Sequence, residues 1–139
     1  MNKDLEEKLV RDFPNLFKGR DLPLTQNLMS FGCECDDGWF QIIYDLCEKI
    51  KDSGAYFTQI KEKNAALAIH MFLATNEVYD LVEEAEDASI TVCEICAKKA
   101  TLCVRYGWYK TLCPDCREEL EFKEVEGKPI LRLRLKDFE

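Results

Sequence analysis

Two Cys-x-x-Cys steps, Cys93/Cys96 and Cys113/Cys116, bracket the stretch 97–112. Each step fits a tight turn that aims two sulfurs at one point. The stretch between them is long enough to run out and return as a hairpin, which brings four thiolates to tetrahedral distance. The spacing predicts a structural zinc site with Cys93, Cys96, Cys113 and Cys116 as ligands. Zinc is preferred to iron because a four-cysteine ribbon with hairpin spacing is its commonest host, although iron uses similar knuckles. A closed shell of four thiolates leaves no open coordination position, so the metal is expected to hold the fold and to take no part in turnover.

The chain has 139 residues, eight of them cysteine. No stretch approaches the ~18 apolar residues of a membrane span. The start, MNKDLEEKLVRDF, mixes charges into a helical pattern and lacks the apolar run of a secretory signal. A cytoplasmic protein is expected, and in that reducing compartment cysteines serve as metal ligands or buried thiols. Cys103 falls inside the expected ribbon and reads as a small core residue. Cys33 and Cys35 form a Cys-x-Cys step that, with Cys47 and His70, could in principle build a second metal site. His70, however, falls in an alternating apolar run and Cys47 lies beside a core stripe, so these are read as buried thiols.

Periodicity supplies the elements. Asn2 caps a helix over about 3–13 carrying Leu5, Leu9 and Phe13, with Leu16 and Phe17 beyond, and Pro14 and the segment 19–23 break it. Asp36 or Asp37 is expected to cap a second helix with Trp39, Ile42, Ile43, Leu46 and Ile50 on its apolar face, ended by Ser53-Gly54. Phe57, Ile60, Leu67, Ile69, Met71 and Leu73 predict two strands with a turn near Lys63-Asn64. Thr75 or Asn76 then caps an acidic helix with Val78, Leu81, Val82, Ala85 and Ile90 on one face. Residues 101–105 and 108–112 flank Tyr106-Gly107 as a ribbon. Pro114 opens a helix to about Lys123, closed by Glu126-Gly127-Lys128. Residues 130–136 alternate apolar with basic side chains and read as a final strand, whose Arg132, Arg134 and Lys136 are expected to pair with the acidic helices.

The net charge of −8 argues against a protein that coats nucleic acid. Charge is nevertheless uneven: residues 75–92 carry six acids and no base, and residues 93–117 carry five bases against two acids. Arg105, Tyr106, Trp108, Tyr109 and Lys110 form a basic-aromatic set, with Lys98 and Lys99 nearby. The structural reading has the aromatics packing over the metal and shielding its thiolates. The functional alternative stacks them on bases or binds phosphates. No phosphate-binding glycine loop, His-Glu-x-x-His, nucleophile elbow or paired-carboxylate motif is present, so no enzyme is expected.

The stretch Phe31-Gly32-Cys33-Glu34-Cys35-Asp36-Asp37-Gly38-Trp39, the segment Gln59-Ile60-Lys61-Glu62-Lys63, Cys93-Glu94-Ile95-Cys96 and Gly107-Trp108-Tyr109-Lys110-Thr111-Leu112-Cys113 together resemble a family of small, uncharacterised proteins of bacteriophage and prophage genomes. The resemblance covers roughly residues 1–120, and this chain departs from it at Asn64-Ala65-Ala66, where the family has an aromatic-glycine turn. It implies a genomic context and a zinc knuckle, and no reaction. The whole reading is an α+β protein with N-terminal helices, a small antiparallel sheet, an acidic helix, a zinc-ribbon-like module and a C-terminal strand. It divides into a core over 1–92, the ribbon over 93–127 and a tail over 128–139 packing on the core. The expected function is non-enzymatic docking on a host or phage protein, including as an inhibitor of host defence or transcription. The alternative is a nucleic-acid-binding regulator using the ribbon tip.

Overall fold

The structure, a computed structural model, describes residues 1–125. The expected strand at 130–136, its pairing with the acidic helices and the tail at 128–139 lie outside the described residues. Within them the fold is α+β, and no helix is long and apolar enough to cross a membrane.

Helix α1 spans Lys3–Asp12. The Asn2 side-chain oxygen accepts the backbone N–H of Asp4 at 2.7 Å, satisfying a donor that a first helical turn otherwise leaves unpaired. Leu9, Phe13, Leu16 and Phe17 are all buried, so the apolar spacing read from sequence is the face that meets the core. Helix α2 spans Phe40–Ile50 and buries Ile43, Leu46, Cys47 and Ile50. Each of the three aliphatic side chains among them contributes about 1.5–3 kcal/mol when taken fully out of water. Neither Asp36 nor Asp37 caps this helix. A tighter 3-10 turn over Asp37–Trp39 precedes it and moves its start to Phe40. The Asp37 carboxylate accepts the backbone N–H of Asn2 at 2.6 Å instead.

Strands β1 (Cys33–Glu34), β2 (Tyr56–Lys63) and β3 (Ala66–Phe72) form one sheet in the order β1-β2-β3. The β2–β3 hairpin turns at Asn64-Ala65, both in the left-handed region with φ of 51° and 68°, which matches the twist of the flanking strands. The parallel β1 was not expected, because two residues give no alternation to read. Helix α3, Asn76–Ser89, is capped by Thr75, whose hydroxyl accepts the Val78 N–H at 3.3 Å. It presses Val78, Val82 and Ala85 into the core. Ile90 lies past its end and is exposed, against expectation. This helix also closes the free edge of β3: the Ser89 hydroxyl accepts the Leu67 N–H and the Glu86 carboxylate accepts that of Ile69, each at 2.9 Å.

The second sheet has the order β5-β4-β6, from β4 (Thr101–Arg105), β5 (Trp108–Leu112) and β6 (Lys123–Glu124). Helix α4 covers Pro114–Glu119 and stops short of the expected Lys123. Leu120 and Phe122 turn onto the small core around Cys103 and Leu112, Glu121 takes a left-handed φ of 60°, and the chain pairs with β4.

The main core and the second sheet are joined by hydrogen bonds to backbone carbonyls. The Gly38 N–H donates to the Glu94 carbonyl at 2.7 Å, and the Trp39 indole N–H to the Val92 carbonyl at 2.8 Å. On the hairpin side, the Thr111 hydroxyl donates to the Ala65 carbonyl at 2.6 Å. A Cβ on Gly38 would lie 2.1 Å from the Cys93 carbonyl oxygen and 2.5 Å from that of Glu94, neither of which can swing aside as a side chain would. Gly38→Ala is therefore expected to cost about 3 kcal/mol or more, the upper end of a forced overpacking because the obstructing atoms are backbone, measured by urea unfolding. The control is Gly54→Ala, where a Cβ meets nothing within 4 Å and the cost is only that of a left-handed alanine at φ 84°, about 1–2 kcal/mol.

Candidate metal centre

The first knuckle is a turn closed on itself. The Cys93 N–H donates to the Lys98 carbonyl at 2.7 Å and the Ala97 N–H to the Cys93 carbonyl at 3.0 Å, which requires Ala97 to adopt a left-handed φ of 71°. The second knuckle is the start of α4. Cys113 is its cap residue, its sulfur accepting the Cys116 N–H at 3.4 Å, and Pro114 supplies the fixed first-turn φ. Between them the β4–β5 hairpin returns the chain, so that the sulfurs of Cys93, Cys96, Cys113 and Cys116 all lie within 4.8 Å of one another. The Cys96 and Cys113 sulfurs are 3.4 Å apart. A tetrahedral ion with metal–sulfur bonds of about 2.3 Å needs sulfurs about 3.8 Å apart, and the two distances bracket that value.

The donor set and its surroundings fit a metal ion. Cys93, Cys113 and Cys116 are buried and Cys96 is exposed, so solvent approaches from one side. The hydrogen bond from the Cys116 N–H is the main cause that brings the Cys113 thiol down to about 7, with the neighbouring thiols adding to it. Burial pushes the Cys96 and Cys116 thiols up. A bound cation reverses that balance, because thiolates are the ligating form.

Among the described residues these four form the one cluster of three or more histidine, cysteine or carboxylate groups placed to share an ion. Cys33, Cys35 and Cys47 are buried in the main core, where desolvation pushes the Cys33 thiol up to about 12 and raises the other two. His70 is exposed on β3 and joins no such cluster. Cys103 is fully buried within β4, its thiol donating to the Thr101 carbonyl at 3.4 Å.

The aromatic residues do not shield the metal. Tyr106 is 90% exposed, Trp108 77% and Tyr109 37%. The two-residue turn, with φ of 48° at Tyr106 and 80° at Gly107, carries them past the knuckles. Cover for the sulfurs comes from Ala100, Leu112, Leu120 and Phe122. Three cations of the expected basic ribbon are engaged by acids: Lys110 with Glu94 at 3.3 Å and Asp36 at 3.9 Å, Arg105 with Glu121 at 3.8 Å, Lys98 with Asp115 at 3.3 Å; Lys99 is exposed and forms no ion pair among the described residues.

Sequence reading passed over Glu94. It sits between the first two ligands, is 2% exposed, and accepts the Asp36 N–H at 3.1 Å and the Lys110 ammonium at 3.3 Å. Burial raises its carboxyl while Lys110 pulls the other way. Nothing in a Cys-x-x-Cys step signals that an acid inside it will be buried; only the docked partner, Gly38 and its neighbours, explains it. No protein-family model matches the chain, and no curated protein or solved structure does.

Two outcomes follow from this geometry. Chelating the bound metal is expected to abolish amide protection over 92–120 and also at Gly38, whose N–H donates to the first knuckle; hydrogen exchange with mass spectrometry reads both. Ala97→Gly is expected to stabilise the metal-loaded protein by about 0.5–1 kcal/mol in urea unfolding. Relief of the left-handed alanine, about 1–2 kcal/mol, exceeds the added chain entropy of glycine, about 0.5–1 kcal/mol.

Proposed function

We propose that this chain is a non-enzymatic, zinc-containing protein-binding module, encoded by a phage or prophage, which docks on a host or phage protein in the bacterial cytoplasm. The observation that carries this reading is the tip of the β4–β5 hairpin, where Tyr106 and Trp108 are exposed while Arg105 and Lys110 are tied to carboxylates. Exposed aromatic side chains are the residue type that dominates protein–protein hot spots, and paired cations are poorly placed to bind phosphates. Docking on a host enzyme would make the chain an inhibitor of host defence or transcription. Zinc is the metal a closed four-thiolate set favours, with a role in folding alone.

The second reading, a nucleic-acid-binding regulator, draws on the Arg105 guanidinium lying 5.4 Å from the Tyr106 ring centre, since such a pair can stack on a base. Affinity capture from nuclease-treated bacterial lysate decides between them. The expected result is a protein partner, identified by mass spectrometry, that the Tyr106→Ala/Trp108→Ala variant retains at least ~30-fold less well, about 2 kcal/mol. A partner lost on nuclease treatment, together with oligonucleotide binding that falls steeply with salt, would overturn the protein-binding reading. Elemental analysis of the same material is expected to return zinc in stoichiometric amount; iron or no metal would refute that assignment.

A further inference from the structure

Beside the hairpin tip a groove of about 390 Å³ lies between the two sheets, lined by Glu62 of β2, by Arg105, Tyr106, Trp108 and Tyr109 of the hairpin, and by Phe122. Lys110 completes the wall. Its chemistry is specific. The aromatic rings supply flat apolar surface, and the Trp108 indole N–H and the Tyr106 and Tyr109 hydroxyls have no hydrogen-bond partner among the described residues, so the groove offers donors without committed acceptors. Arg105 and Lys110 are both paired with carboxylates, whereas Glu62 has no ion pair among the described residues. The charge left for a ligand to answer is negative.

Four common modes of peptide recognition can be weighed against this surface. Addition of a strand requires an open sheet edge. The β3 edge is covered by Ser89 and Glu86, the far side of β4 by β6, and the knuckle end of the β5 outer edge by the Glu94 N–H, which donates to the Thr111 carbonyl at 3.1 Å; the stretch left open beside the groove, around Tyr109, is too short to pair with an added strand. Docking of an amphipathic helix requires a trough apolar along its length, and this groove carries three charged side chains. Capture of a phosphorylated or acidic peptide requires free cations. The remaining mode is a polyproline II segment, whose rings pack between aromatic side chains and whose backbone carbonyls, unused within that helix, accept from indole and phenol donors.

We propose that this groove binds an extended proline-rich peptide carrying an arginine or lysine, the prolines lying across Trp108, Tyr106 and Tyr109 and the cation pairing with Glu62. The inference rests on the protein-binding reading above and names the class of partner. The same side chains could face single-stranded nucleic acid, but the unpaired charge in the groove repels a phosphate backbone.

Trp108 is the reporter: it is 77% exposed, whereas the other tryptophan, Trp39, is fully buried. The probes are an oligoproline peptide with an arginine at each end, the same peptide with a glutamate at each end, and oligothymidine, each titrated against the metal-loaded chain by intrinsic fluorescence. Saturable blue-shifting binding of the arginine peptide is expected, with weaker binding of the glutamate peptide. Glu62→Gln should narrow that preference about three- to five-fold, the scale of a solvent-screened ion pair. Trp108→Ala should weaken binding about 30-fold, measured with a fluorescein-labelled form of the arginine peptide, while leaving the melting temperature unchanged because the ring is on the surface. Equal binding of the two peptides, or a preference indifferent to Glu62→Gln, overturns the proposal. Binding of oligothymidine in place of the peptides overturns it in favour of nucleic acid. If neither peptide binds while a protein partner is still captured through Trp108, the peptide inference falls and the protein-binding reading stands; if the capture also fails, both fall.

Discussion

Four sulfurs within 4.8 Å of one another are a liability until a cation lies among them. As thiols they leave a small core, built on Cys103, Ala100 and Leu112, to hold two turns, a hairpin and a short helix by itself. As bare thiolates they repel at close range in a half-buried site. A bound ion reverses both terms, and its binding free energy becomes folding free energy for everything between Val92 and Leu120. The strained Ala97 and the left-handed Tyr106 are consistent with a segment whose geometry is set from outside its own backbone preferences.

The metal segment is nevertheless not an appendage. Its first knuckle lies against Gly38 and Trp39 with carbonyl oxygens where a side chain would otherwise be, and Glu94 carries a carboxylate into the junction to meet Asp36 and Lys110. A buried carboxylate is costly unless its oxygens are satisfied, and here a backbone N–H takes one oxygen and an ammonium the other. The junction is consequently intolerant of partial assembly: without the knuckle, the Gly38 N–H and the Trp39 indole lose their acceptors, and without the core, Glu94 loses a donor. Order imposed on the knuckle by a bound ion would thereby reach the start of α2, which begins at the residue after Trp39.

What was legible in the sequence divides along physical lines. Patterns that repeat within one element could be read: the face of α1, the alternating strands around Asn64, the acid-backed stripe of α3, and the paired cysteine steps with Tyr106-Gly107 at the turn between them. These depend on local periodicity and turn chemistry, which a single chain displays. Features set by contact between distant segments could not. The parallel β1 has two residues and gains its identity from β2; α4 ends early because Leu120 and Phe122 are drawn to Cys103 and Leu112; Asp37 serves Asn2 and not its own helix. The aromatic tip was misjudged for a related reason. Composition places aromatic residues near a metal but does not give the direction of a hairpin, and the hairpin runs away from the sulfurs.

That direction bears on purpose. Shielding thiolates requires apolar side chains turned inward, and Leu112, Ala100, Leu120 and Phe122 already supply them. A hairpin needing only to close its turn is served by Gly107 and a small polar neighbour, since a left-handed two-residue turn asks for φ and not for an aromatic ring. Tyr106 and Trp108 therefore answer to neither requirement, and they leave more than three quarters of their surface in water on a molecule that has ample apolar core elsewhere to bury. A rigid support underneath, fixed by two knuckles and joined to the main core through Gly38 and Thr111, reduces the conformational entropy such rings lose on meeting a partner. Preorganised aromatic surface with its nearby cations already paired is better matched to an uncharged or cationic polypeptide than to a polyanion.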